Sequence, residues 1–164
     1  MRSCRAKYRC YLKRIMFSCS PKGICSWEFY LSGEGHSAET HVNWVGEQGT
    51  VMVDGVRYTI SKDGIFSGKW NLETGSDVIY SAQKSSAFTR TFEIAGAEST
   101  VLLSAQSAFK RAMRLEGSGY DCTIAPDHAF TRRSTIDGRW TDFRLVSFAF
   151  WLTVLLWRRQ ASKS

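Results

Sequence analysis

Arg90 and Arg111 raise the first chemical question in this chain. Each stands among apolar neighbours, in A87-F-T-R-T-F-E-I94 and in A108-F-K-R-A-M-R-L115. Read as strands, the two segments put Arg90 on one face with Phe88, Phe92 and Ile94, and Arg111 on one face with Phe109, Met113 and Leu115. A guanidinium on an apolar face needs a partner, because an unpaired buried charge costs several kcal/mol. Three roles stay open. The arginines can snorkel to water at the rim of a barrel, form a pocket whose donors meet a phosphate or carboxylate, or pair internally with Glu93 or Glu116. Lys110 and Arg114 alternate onto the opposite face, and the adjacent Arg132 and Arg133 point to opposite faces of their own strand. With Lys69 these seven residues are the candidates for binding an anion or a lipid headgroup. The plainer reading of the patch is a solvated sheet face.

Other chemistries lack their residues. H36-S-A-E-T-H41 does not have the H-E-x-x-H spacing that places two histidines on one helical face. G64-I-F-S-G68-K69 is one residue short of a phosphate loop, and Trp70 stands where Ser or Thr would hold magnesium. No G-x-S-x-G occurs. Cys4, Cys10, Cys19, Cys25 and Cys122 form no C-x2-C pair, so neither a zinc site nor a disulfide framework is expected. Their setting reads as a reducing compartment with buried or incidental thiols, and Cys122 has no visible activating partner. Catalytic residues, a cofactor and a metal are accordingly not expected. Nucleic acid is not an expected partner, because the sequence shows no aromatic RNA-binding motif or recognition helix. The residues leave the oligomeric state open.

The elements that position these groups follow from periodicity. From Trp27 to Asp137 short apolar-alternating segments are separated by turn residues such as D54-G55, K62-D-G64, G117-S-G119 and D137-G138. This rhythm predicts a mainly β protein, a closed antiparallel barrel or sandwich. Asp54-Gly55 suits a two-residue hairpin, because both residues tolerate positive φ. Two echoes suggest that the hairpins share a plan. S81-A-Q83 with A87–I94 resembles S104-A-Q106 with A108–L115, and T59-I-S-K-D-G-I-F66 resembles T123-I-A-P-D-H-A-F130.

After Trp140 the texture changes. T141-D-F-R-L-V-S-F-A-F-W-L-T-V-L-L-W-R-R159 has no glycine, proline or turn signal. It predicts a helix over about 142–159, capped by Thr141 or Asp142 and closed by arginines that suit the helix dipole. The uninterrupted apolar run, Leu145–Trp157, is shorter than the roughly 20 residues that a bilayer core requires. It is also apolar on every side, so something must surround it. A wide barrel has an interior to fill. The helix is therefore expected inside the barrel, with a membrane anchor and a partner-binding helix as the alternatives.

The chain has 164 residues and a net charge of +7, and residues 1–14 hold six basic residues and no acidic one. Residues 1–25 are expected to be a basic, cysteine-containing extension, with translation from Met16 as one reading. The head has no apolar core of the length that a secretory signal needs. Residues 26–160 are expected to form the barrel domain.

The order of strands and turns, the fragment A87-F-T-R-T-F-E-I and the terminal F148-A-F-W-L-T-V-L-L-W-R-R together resemble the Tubby C-terminal domain, the plant LURP-one-related proteins and the phospholipid scramblases. The resemblance spans residues 26–160. It implies about twelve strands closed around a buried C-terminal helix. It also implies peripheral binding of anionic phospholipid headgroups, at the inner face of a membrane, by a cytoplasmic protein. The proline-rich region and acidic calcium segment of the scramblases are not matched, so neither scrambling nor calcium is implied. The expected function is a non-enzymatic binding module. A small hydrolase with a pocket at the barrel mouth, and a membrane protein anchored by its last helix, are the alternatives.

Overall fold

The computed structural model describes residues 14–163. The strands are β1 (Ile15–Pro21), β2 (Phe29–Gly33), β3 (His36–Asn43), β4 (Gln48–Val53), β5 (Val56–Lys62) and β6 (Lys69–Thr74). They continue as β7 (Asp77–Lys84), β8 (Thr91–Gly96), β9 (Thr100–Ala105), β10 (Met113–Gly117), β11 (Tyr120–Pro126) and β12 (Ser134–Arg139). Each pairs antiparallel with its neighbour in sequence, and β1 pairs with β12 to close the barrel. Closure leaves no edge strand to be protected. The seam runs from Ile15 opposite Gly138 to Cys19 opposite Ser134. The barrel thus begins at Ile15, ahead of residue 26, where the sequence placed the domain boundary. Phe17 and Cys19 of β1 are core residues. Cys4, Cys10 and the basic head before Arg14 lie outside the described residues.

Alternation decides which side chains face inward. In β8, Phe92 and Ile94 are buried and Glu93 is exposed; in β10, Met113 and Leu115 are buried and Arg114 is exposed. Asp54 and Gly55 both have positive φ (49° and 81°), as a type I′ hairpin turn requires.

One helix, α1 (Phe143–Ala161), threads the barrel. Asp142 caps it by accepting a hydrogen bond from the Arg144 backbone N–H at 2.8 Å. Apart from Arg144, every residue from Phe143 to Trp157 is buried. Their surroundings are the inner faces of the strands. Phe150 meets Phe29 edge-on with centroids 5.2 Å apart. The Trp151 indole N–H donates to the His41 carbonyl at 3.1 Å, and that of Trp157 to the Arg111 carbonyl at 2.8 Å. Gly49 makes the Trp151 contact feasible, since a Cβ there would stand 3.0 Å from the indole nitrogen and 2.0 Å from the His41 oxygen. The helix is therefore the filling of the barrel, and the anchored-tail alternative does not describe it. No helix among the described residues is long and apolar enough to cross a membrane.

A meander of twelve strands sends its connections alternately to opposite ends. The connections after β2, β4, β6, β8 and β10 are tight and form the turn end. Those after β1, β3, β5, β7, β9 and β11 are longer and form the loop end. The helix starts at the turn end, after β12, and its C-terminus emerges at the centre of the loop end.

Candidate functional site: the loop end of the barrel

Three stretches expected to be strand, residues 87–90, 108–112 and 130–133, belong instead to the loops 85–90, 106–112 and 127–133. Their turns are set by short polar side chains. Ser86 Oγ accepts from the Phe88 N–H at 3.1 Å, and Ser107 Oγ from the Phe109 N–H at 3.3 Å. Phe88 and Phe109 consequently leave the face of Phe92 and Met113 and project into solvent.

The same happens in every loop of this end. Ile24, Val45, Phe66, Phe88, Phe109 and Phe130 are each between 97% and 103% exposed. They recur every 21 or 22 residues, one per hairpin. The sequence carried this signal. A87-F-T-R90, A108-F-K-R111 and A129-F-T-R132 share one A-F-x-R pattern, and both internal echoes superimpose one tip phenylalanine on another. Local pattern alone does not reveal its meaning, because phenylalanine in an alternating segment points to an inner face, and only closure of the barrel shows where these segments leave it.

Arg90 and Arg111 are corrected accordingly. They lie in loops, not on an inner strand face, and no carboxylate among the described residues pairs with either. Arg90 donates to the carbonyls of Lys110, at 2.9 Å, and Ser107 in the next loop. Arg111 donates to the carbonyls of His128, Ala129 and Thr131 in the loop after that, the last at 2.6 Å. Arg132 crosses the seam to the Ser26 carbonyl at 3.0 Å and stacks on Trp27. Each arginine thus braces the backbone of the following loop and holds the tips as a connected set. Because the acceptors are neutral carbonyls, the positive charges remain uncompensated.

The other candidates divide. Lys110 and Arg133 are exposed in the loops, and among the described residues no side-chain partner meets either cation. Lys69 sits 3.4 Å from Asp63 in the loop after β5. Arg114 does not join them: it lies on the outer wall with its guanidinium drawn to Glu116 and Asp121, each at 3.1 Å.

The loop end comprises segments 22–28, 44–47, 62–69, 84–90, 106–112 and 127–133, with 158–163 from the helix. It carries twelve basic and four acidic side chains, a net of +8. The described residues together carry only +2, the chain's +7 less five basic residues before Arg14. The charge is therefore strongly polarised toward one end. Beneath the tips lies a second layer of tryptophans with cations on their faces: Arg158 on Trp44 at 3.9 Å, Arg132 on Trp27 at 4.7 Å and Lys62 on Trp70 at 5.2 Å.

Comparison with protein-family models, curated proteins and solved structures finds no match. The case for function therefore rests on this geometry.

One carboxylate ties the helix to the loop end. Glu47 receives Lys62 at 2.6 Å and a forked pair from Arg159 at 2.6 and 2.8 Å. Burial alone would raise its pKa, but the hydrogen bonds and charges of Arg159 and Lys62 outweigh burial and hold it below its ordinary 4.5. A depressed carboxyl stabilises the fold above its unfolded pKa, and that contribution is lost as pH falls through the folded value. Thermal unfolding followed from pH 7 downward should therefore show midpoints dropping below about pH 4.5, and Glu47→Gln should flatten that drop. An unchanged slope in the variant would remove Glu47 from the account.

Elsewhere the polar chemistry is structural. At the turn end Tyr80 and Arg144 both donate to the cap residue Asp142, at 2.7 and 2.6 Å. His36 lies 2.7 Å from Asp54 in a hairpin turn, and His41 contacts Glu28. No group of three or more His, Cys, Asp or Glu is placed to hold a metal among the described residues. Burial pushes the Cys122 thiol up to about 11, which leaves it a poor nucleophile.

Proposed function

We propose that the protein is a peripheral binding module that docks on an anionic membrane by the loop end of its barrel. The six exposed apolar tips surrounding a cationic centre carry this reading. Large apolar side chains lying wholly in water, one on each loop of a single end, need an apolar medium to enter. The surrounding lysines and arginines suit anionic headgroups, at about 1 kcal/mol per cation near such a surface. Trp27 and Trp44, half-buried beneath the tips, sit at the level where indoles settle in a membrane interface.

The arrangement favours a lipid surface over a protein partner. A protein interface has an apolar centre and a polar rim. Here the order is reversed: Arg158, Arg159 and Lys163 of the helix end occupy the middle, and the apolar tips form the surround. Separate protrusions can each enter a fluid layer without a complementary shape on the other side. The resemblance to Tubby-like and scramblase-like barrels, itself a proposal, points to the same class of ligand. The hydrolase alternative asks for an acid–base pair in a pocket at the barrel mouth, and the loop-end cavity beside the last turn of α1 is lined by Lys84, Arg90, Arg159 and Lys163 with no Asp, Glu or His.

The test is flotation with vesicles of phosphatidylcholine alone and with added phosphatidylglycerol. The protein should rise only with the anionic vesicles at about 0.1 M salt, and largely detach at about 1 M, where charges are screened within about 3 Å. If no anionic vesicle carries it upward, the reading fails.

A further inference from the structure

A cavity of about 610 Å³ opens at the loop end between the β7–β8 loop, the β9–β10 loop and the last turn of α1. Four cations line it, Lys84, Arg90, Arg159 and Lys163, and its lining contains no Asp or Glu. Among the described residues, three of them have no carboxylate partner. Lys84 donates to the Ala87 carbonyl at 3.0 Å, Arg90 is held by backbone carbonyls, and the exposed Lys163 ammonium meets no partner among the described residues. Only Arg159 is compensated, through Glu47. The adjoining cavity of about 380 Å³, which Lys84 also lines, is less cationic, because its other two cations, Lys62 and Arg159, are both bound to Glu47.

Uncompensated cations gathered in one concavity repel one another. Burial, then Arg159 and Lys163, lower the Lys84 pKa. The negative end of the helix dipole, worth about half a charge, is small against three unpaired cations. It is further blunted, because the Arg158 and Gln160 carbonyls accept from the Ser162 and Lys163 N–H groups. The Thr89 and Ser107 hydroxyls line the same wall. Phe88, fully exposed, stands at its lip, where an acyl chain would continue toward the bilayer.

We propose that this cavity seats a phosphomonoester headgroup, the doubly charged kind carried by phosphatidic acid, and makes the docking face selective for it. This inference rests on the membrane-docking reading. A phosphodiester headgroup offers one negative charge shared over two non-bridging oxygens. A monoester at about pH 8 is close to a dianion with three acceptor oxygens, which matches several cations around one cavity.

The experiment compares flotation on vesicles of equal surface charge containing either phosphatidic acid or phosphatidylglycerol. The unmodified protein, Lys84→Gln/Lys163→Gln, and Arg57→Gln at the turn end are run side by side at about pH 8. In parallel, glycerol 3-phosphate is titrated in solution by calorimetry. The expected result is about tenfold tighter association with phosphatidic acid, the scale of one charge-assisted contact. That ratio should fall to near one in the Lys84/Lys163 variant and persist in Arg57→Gln. Equal association of the unmodified protein with both vesicles overturns the cavity proposal and leaves docking standing. Glycerol 3-phosphate binding without vesicle binding supports the cavity as a phosphomonoester site and overturns docking. Binding of neither overturns both.

Discussion

A chain ending at Asp142 will not fold. The eleven large apolar side chains of α1 between Phe143 and Trp157 are buried within the barrel. At roughly 1.5–3 kcal/mol each, their burial contributes on the order of 20 kcal/mol gross. The net stability of a domain is only about 5–15 kcal/mol. Without the helix, Phe17, Phe29, Ile60, Trp70, Phe92 and Leu103 would line an empty, wet bore. The truncated chain should therefore show no cooperative thermal transition and no near-ultraviolet circular dichroism. A graded version keeps the result interpretable. Phe150→Ala removes a ring that is fully buried against Phe29, and should cost roughly 3–5 kcal/mol. Its midpoint should fall by roughly ten degrees. A cooperative, soluble barrel from residues 1–142 would show that the strands close without their filling, and would remove the physical basis of the fold described here.

Replacing Phe88, Phe109 and Phe130 together by serine should abolish membrane association without loss of stability. All three rings lie in water, so the folded protein loses no packing, and surface changes of this kind usually stay within about 0.5 kcal/mol. In the docked state each ring would gain part of the roughly 1.5–3 kcal/mol that full burial supplies. Three such losses weaken vesicle binding by about two orders of magnitude. Charge is unaltered, so residual binding should become almost wholly salt-sensitive. Flotation and thermal melting of the same samples separate the two effects. Undiminished association of a folded triple variant would mean that the tips do not enter the bilayer, and docking would then have to be electrostatic alone. The arginine braces connect this result to the fold: Arg90, Arg111 and Arg132 hold neighbouring loops by their carbonyls, so the tips act as a set.

Local sequence determined most of the architecture. Period-two alternation in segments such as T91-F-E-I94 and M113-R-L115, with turn pairs such as Asp54-Gly55, suffices for strands and hairpins, because each signal depends on neighbours a few residues away. The helix was equally legible. A run too short for a bilayer and apolar on all sides has few places to go other than an interior, so the texture of Leu145–Trp157 located it. By contrast β1 reads as part of an extension, because the basic residues before it mask a strand whose partner, β12, lies more than a hundred residues away.

Only tertiary structure decided the candidate site. Phe88 and Phe109 look inward when their segments are read as uninterrupted strands, and the seven candidate cations look like one patch. Closure of the barrel shows where each strand ends. It sends the tips outward, moves Arg114 away from the other six, and turns Arg90 and Arg111 into braces across loops. The physical reason is that a strand's inward face is a local property, repeated every second residue. Which end of a barrel a loop occupies, and which charges meet there, depends on pairing every strand with its neighbour and returning the last to the first.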